Sequence, residues 1–388
     1  MNTCMIAYTF YRADGRVRRY AETLAEQGHN VDVISLREKG TGTYEKIKGV
    51  SIYKIQERIL NEKGRLSYLY RLLKFLVLSA SFLCRKHIKK PYDLIHVHSV
   101  PDFEIFATLL PKLTGAKIIL DIHDIVPEFY VSKFGVSKNS IVFRALAVIE
   151  KLSIAFSNHV IISNHIWYDI LISRSVRKEK CTAILNFPNS STFYNRDTLR
   201  QRKQTVMLYP GGLYWHQGLD IAVKALSMIK DKVPEAYLHI YGSGPEEKAL
   251  KTLIGKLGME KRVLLKNEVA IDDVARLMSN ADIGVVPKRN DPFGGQAFST
   301  KILEFMSTGT PVIVSRTMID QYYFDESLVQ FFDSEDHADL AKSMMKLIKD
   351  EQLRKTLSKN GINFIEKNNW SLKQGVYLDL VNSLVGEK

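Results

Sequence analysis

The segment GGQAFSTKILEFMSTGTPVIVS, residues 294–315, gathers two hydroxyls, a cation and a carboxylate at what reads as the start of a helix. Ser299 and Thr300 are helix-capping residue types, the first turn presents backbone N–H groups without intrahelical partners, and Lys301 adds a positive charge there. A diphosphate suits that end. Glu304 follows Thr300 by four positions, one turn deeper on the same face, where its carboxylate can accept hydrogen bonds from a ribose diol. In isolation the same residues also read as an ordinary capped helix with Glu304 in water.

A second set of reactive residue types lies in the first half. His123 follows the apolar run Lys117–Ile122 in the turn DIHDIVPE and is expected to project from a strand C-terminus; the alternative is a structural histidine bonded to Asp121 or Asp124. His96 and His98 straddle another strand end, with His98 the better placed for ligand contact and His96 for structure. Asp14, Gly15 and Arg16 occupy the loop after the first strand, where a glycine lets backbone approach a ligand closely. The chain has no Ser-His-Asp or paired-carboxylate signature. It also has no Asp-x-Asp motif of the kind that holds magnesium, so no metal site is expected.

The elements that position these residues follow from pattern. Short, nearly continuous Val, Ile and Leu runs alternate with longer helical patterns, as parallel strands buried on both faces require. In the first half they are Cys4–Thr9, Val31–Ser35, Ser51–Ile55, Leu94–His98, Lys117–Ile122, His159–Ser163 and Cys181–Leu185. A polar, turn-rich stretch at 186–204 breaks the rhythm, and a second series runs from Thr205 to Phe332. At 388 residues two domains are expected, over 1–192 and 203–369, with a final helix over 370–388 returning to the first; ligands are expected where strand ends face a cleft.

Composition narrows the partners. The net charge of +13 attracts phosphates of any kind, yet neither a basic face interleaved with aromatics nor a nucleic-acid-binding module is present. Three distant cysteines, without a CxxC pair, and an N-terminus that reads as a strand fit a reducing, cytoplasmic setting. From Arg65 to Tyr92 the chain carries seven Lys or Arg and no acidic residue. On a helical wheel Ser67, Arg71, Lys74, Ser81 and Arg85 share a narrow face, and Leu69, Leu72, Leu73, Leu76, Val77, Ala80 and Leu83 a wide one. Two readings stand: a helix packed on its own sheet, or an interfacial helix resting on the anionic inner surface of a membrane.

Segment 294–315 resembles the donor-binding helix of glycosyltransferase family 4. More segments match that family in order: ADGRVRRYAETLAEQGHNVDVIS, DLIHVHSVPDFEIF, IILDIHDIVPEFY, YPGGLYWHQGLDIAVKAL and the run from YGSGPEEKAL to ADIGVVP. The resemblance implies an α/β protein of GT-B architecture, two Rossmann-like doubly wound domains facing a cleft. It implies a retaining enzyme that moves a hexosyl group from a nucleotide-sugar, UDP-linked by preference, to a lipid-linked or polysaccharide acceptor of the cell surface. It further implies catalytic roles for His123, Lys301 and Gln296. Donor contacts are implied for Gly15, Arg16, Gly212, His216, Gly242, Gly244, Val269, Lys288, Arg289, Ser299, Thr300 and Glu304, and acceptor contacts for Asp14, His98 and Asp102. No cofactor beyond the nucleotide-sugar is implied.

The chain departs from the family at defined places. Gln296 stands where the family's first motif glutamate is found, with Asp291 the other carboxylate of that loop. Gly212 and Gln217 occupy positions that usually carry Arg and Lys, and His216, Lys288, Arg289 and Lys301 are the cations available to compensate. Two rival readings remain, a nucleotide-sugar 2-epimerase on the same fold and a non-catalytic module that binds lipid or phosphate.

Overall fold

The structure is a computed structural model and describes residues 1–58, 65–135, 137, 139–196 and 204–386. The chain forms two compact units, Met1–Asn186 with Lys373–Lys388, and Phe187–Leu372. Residues 197–203 of the expected polar stretch between the domains lie outside the described residues.

The first unit begins with β1 (Asn2–Ala7), α1 (Gly15–Glu26), β2 (Asn30–Arg37), β3 (Tyr44–Ile47), β4 (Val50–Glu57) and α2 (Arg65–Lys89). It continues with β5 (Leu94–His98), α3 (Leu109–Leu113), β6 (Lys117–Ile122), α4 (Val126–Phe134) and α5 (Ile141–Phe156). Strand β7 (His159–Ile162), α6 (His165–Arg174) and β8 (Cys181–Ala183) complete its sheet, in the order β3-β4-β2-β1-β5-β6-β7-β8. Every pairing is parallel except β3 with β4. That hairpin turns through Lys48 and Gly49 at φ of 45° and 83°, the left-handed pair of a tight hairpin turn. The sequence pattern missed β3, because an edge strand exposed on one side lacks the apolar run that marks the others.

The second unit holds β9 (Thr205–Pro210), α7 (Leu219–Ile229), β10 (Ala236–Tyr241), α8 (Glu247–Lys256), β11 (Val263–Lys266), α9 (Ile271–Asn280) and β12 (Ile283–Val286). It continues with α10 (Thr300–Ser307), β13 (Val312–Ser315), α11 (Met318–Tyr323), β14 (Gln330–Phe332), α12 (His337–Lys349) and α13 (Glu351–Lys367), and α14 (Trp370–Gly386) follows. Its sheet is wholly parallel, ordered β11-β10-β9-β12-β13-β14.

Each sheet reverses its winding beside its first strand: β1 lies between β2 and β5, and β9 between β10 and β12. Such reversals leave a crevice at the strand carboxyl ends, where ligands of open α/β sheets bind. Both expected sets of reactive residues lie at those ends.

Candidate functional site

In the second unit the loops after β9 and β10 lie backbone to backbone. Leu213 N donates to Ser243 O at 2.9 Å, and Gly211 N to Tyr241 O at 2.8 Å, which extends the sheet ladder into the loops. A Cβ on Gly242 would fall onto the Gly211 carbonyl and one on Gly244 onto that of Leu213, so both positions require glycine. Helix α10 is seated by Gly284 of β12, where any side chain would strike the ring of Phe305.

Lys301, in the first turn of α10, lies along Gly211 with its ammonium 5.2 Å from the Tyr209 ring centroid. Among the described residues no carboxylate comes within 4.0 Å of it. Burial pulls its pKa below the usual lysine value, and Glu304 opposes the shift. Fixed, desolvated positive charge beside a glycine loop and a helix N-terminus suits a dianionic diphosphate.

The other residues expected at this site have the following protein surroundings. Ser299 holds the N-cap position but makes no cap hydrogen bond, and its buried hydroxyl has no partner among the described residues. Lys288 is committed to Asp320 at 2.9 Å and to Ala297 O at 2.8 Å. Arg289 is paired with Asp220 at 2.7 Å and lies over the Trp215 ring at 4.6 Å. Those two cations build the loops, and of the compensating lysines and arginines Lys301 is left with no carboxylate within 4.0 Å among the described residues. His216 stacks on Tyr214 and meets Phe293 edge-on, and burial lowers its pKa. Asp291 accepts a hydrogen bond from Gly294 N at 2.9 Å and so shapes the loop that carries Gln296. Gly212 accepts from the Tyr209 hydroxyl at 3.1 Å through its carbonyl, Val269 is exposed after β11, and Thr300 and Glu304 sit half-buried on α10.

In the first unit a single carboxylate organises the strand ends. Arg16 donates to both oxygens of Asp121, from Nε at 2.8 Å and Nη2 at 2.7 Å, and from Nη1 to Ile184 O at 2.8 Å. His98 Nδ1 and His123 Nε2 each lie 3.0 Å from Asp121 Oδ2. His96 stacks on His98 and places Nδ1 3.1 Å from the buried Tyr377 hydroxyl on α14. Burial alone would raise the Asp121 pKa; Arg16 and His123 hold it well below the usual carboxylate range. Burial also keeps His96 and His98 neutral by lowering theirs. His123 is the accessible member, its side chain 22% exposed.

The other residues expected at this site are placed as follows. Arg16 is buried, and each of its guanidinium nitrogens makes a hydrogen bond within the protein. Asp14 is the N-cap of α1, accepting from Arg16 N and Val17 N at 3.1 Å, and Gly15 meets no atom that would demand a glycine. His98 is sealed behind His123. Asp102 is buried, hydrogen-bonded by Ser99 Oγ, with burial pushing its pKa up to about 7. Asp121 is the residue that sequence reasoning passed over as a functional one; its place two residues before His123 was the available signal.

His96, His98 and Asp121 offer ligand atoms within 4.8 Å of one another. Both Asp121 oxygens are already engaged by a guanidinium, and a divalent ion there would face that fixed charge at contact distance. The cluster works as a carboxylate-centred hydrogen-bond hub.

Two parallel-sheet Rossmann-like domains with a glycine-loop cation site in one and a strand-end histidine in the other define a GT-B glycosyltransferase. Residues 190–364 match the family described as glycosyl transferases group 1, and residues 14–186 match the glycosyl transferase 4-like domain. The chain belongs to the family 4-like glycosyltransferases. It is 27% identical over 326 residues to an uncharacterised glycosyltransferase of Methanocaldococcus jannaschii, covering 76% of this chain and 74% of that one. It is 24% identical over 367 residues to sulfoquinovosyl transferase SQD2 of Arabidopsis thaliana, covering 92% and 67%. Its fold superimposes with a TM-score of 0.73 on HepE of Anabaena, solved with UDP and glucose, at 17% identity and covering 98% and 100%.

Proposed function

We propose that the protein transfers a hexosyl group, with retention of configuration, from a UDP-linked sugar to a lipid-linked or polysaccharide acceptor at the inner face of a cell membrane. The observation that carries the reading is Lys301, a desolvated ammonium with no carboxylate within 4.0 Å among the described residues, set between a glycine loop and the first turn of α10. The UDP and glucose bound by HepE support a UDP-linked donor, and the sulfoquinovosyl transferase activity named for SQD2 supports sugar transfer.

In this reading Lys301 and the α10 amides hold the leaving diphosphate, and no metal is required. The acceptor hydroxyl bonds to the anomeric carbon as the bond to the diphosphate oxygen breaks. That oxygen takes the acceptor proton on the same face of the sugar, so no protein nucleophile takes part. His123 offers Nδ1 to a sugar hydroxyl, because its Nε2 is bound to Asp121.

The test is a thermal-shift screen of the full chain against UDP-, GDP- and dTDP-sugars, followed by sugar transfer to membrane extracts with and without EDTA. A ligand at 100 times its dissociation constant adds about 2.7 kcal/mol. Failure of every nucleotide-sugar to stabilise the chain defeats the reading, and transfer that EDTA abolishes and magnesium restores defeats its metal independence.

A further inference from the structure

Helix α2 leads from β4 to β5, α3 from β5 to β6 and α5 from β6 to β7, so all three cross the sheet in one direction, while α1 runs the other way from β1 to β2. Right-handed crossovers therefore place α2, α3 and α5 together on one face of the sheet and α1 on the opposite face. The outer surface of that three-helix layer is inverted relative to a surface facing water.

Helix α2 buries Leu72, Phe75 and Leu83, which makes Leu72 a core residue; the wide apolar face read from the sequence is split in two. Its opposite side exposes Leu73, Val77 (65%) and Ile88 (74%) where a water-facing helix would be polar. Helix α5 turns a glutamate inward, Glu150 against Arg174 at 2.6 Å, and exposes Ile141 (86%), Val148 and Leu152. Between them α3 exposes Leu109 and Leu113. By composition and length the segment Ser67–Lys89 would span a bilayer, but it is tied at both ends to sheet strands and packed along one side in protein.

The charges of the layer have one sign. Lys74 and Arg85 of α2 and Arg144 and Lys151 of α5 are exposed beside the aliphatic stripes. Neither α2 nor α3 has an acidic residue, and Glu150 of α5 is buried, as are Asp102 and Glu104 of the segment leading into α3. A second copy of this chain would bring like charges together. A bilayer with anionic headgroups supplies both an apolar interior for the aliphatic stripes and phosphates for the cations.

We infer that the outer face of α2, α3 and α5 is one docking surface for an anionic membrane, its aliphatic side chains reaching the boundary between headgroups and acyl chains. This rests on the proposed membrane-held acceptor only for its purpose, not for its evidence. The experiment is sedimentation of the full chain with vesicles of phosphatidylcholine alone or mixed equally with phosphatidylglycerol. It compares wild type with Leu73→Ser/Val77→Ser/Val148→Ser/Leu152→Ser and with Lys74→Glu/Lys151→Glu.

Wild type binds the mixed vesicles and not the neutral ones, and the serine variant loses more than about tenfold in partitioning through the apolar area it removes. The glutamate variant also loses binding. Melting temperature and UDP affinity stay unchanged in both, because the replaced side chains are exposed. The inference is overturned if wild type ignores anionic vesicles, if the serine variant sediments like wild type, or if light scattering shows the serine substitutions dissociating a dimer without changing sedimentation. A chain that docks but binds no nucleotide-sugar defeats the donor assignment and supports the docking surface; the converse defeats docking alone.

Discussion

Asp121 Oδ2 lies 3.0 Å from His123 Nε2; Asp121 stands near the end of β6 and His123 directly follows the strand, two residues on. Paired with Arg16, Asp121 stays ionised and can only accept. With its proton on Nε2, His123 donates to Asp121 and leaves Nδ1 as an acceptor.

Replacing Asp121 with Asn leaves the Arg16 guanidinium buried without its counter-charge, a change that costs about 3–5 kcal/mol. Urea denaturation of Asp121→Asn should register that loss, and Arg16→Leu/Asp121→Leu should recover much of it because no lone charge remains. In the double variant the imidazole nitrogen shifts of His123 should move from the Nε2–H form toward a mixture of tautomers. A double variant as unstable as the single one would show that the ion pair is not the source.

Lys301→Met should weaken UDP binding by about 1.5–3 kcal/mol, the worth of charge-assisted hydrogen bonds. It should leave stability unchanged or higher, since it removes a desolvated charge that Glu304 offsets only in part and that no described carboxylate approaches within 4.0 Å. Calorimetry and melting together check this. Equal UDP affinity in the variant would move the diphosphate elsewhere, and a large loss of stability would recast Lys301 as a packing residue.

The architecture was legible because parallel strands buried on both faces must be nearly continuous in Val, Ile and Leu, a signal that β6 and β13 carry. Edge strand β3 has no such constraint and was missed. The site was legible only where local sequence states the geometry, as in the glycines that bring the β9 and β10 loops together and in Lys301 at a helix start. It was illegible where a partner is distant in sequence: Arg16 meets Asp121 across 105 positions, and Lys288 and Arg289 are claimed by Asp320 and Asp220. A charged residue type announces that it needs a partner without saying whether the partner is protein or ligand. For α2 the periodicity named the apolar residues but not which of them face the sheet, since leucine serves either surface.

Gly284 of β12 lies under the Phe305 ring of α10, close enough that an added Cβ must displace aromatic carbons. Gly284→Ala should cost about 1–3 kcal/mol through overpacking, by urea denaturation. It should also weaken UDP binding, because α10 carries Lys301 into place. Wild-type stability would mean that α10 shifts freely on the sheet, and wild-type UDP binding would mean that its seating does not set the site.

Glu104 is 1% exposed beneath α2, and burial pushes its carboxyl up to about 8 while Ser79 opposes the rise; Asp102 nearby is raised to about 7. A carboxyl whose folded pKa exceeds its unfolded value favours the folded state fully below the unfolded pKa, and that contribution is lost as pH rises through the folded pKa. Both groups act in the same direction, so stability should fall between about pH 4 and pH 8. The fall amounts to several kcal/mol at most, since a tenfold change in proton affinity is worth about 1.36 kcal/mol. Glu104→Gln keeps the shape and cannot ionise. It should match wild type near pH 4, exceed it at pH 8 and above, and lessen the slope throughout the interval between, where the unfolded carboxyl has lost its proton and the folded one still holds it. Urea midpoints across that range decide it: parallel curves for wild type and Glu104→Gln would mean that Glu104 ionises freely in the folded chain, and a variant weaker at every pH would mean that its packing outweighs its charge.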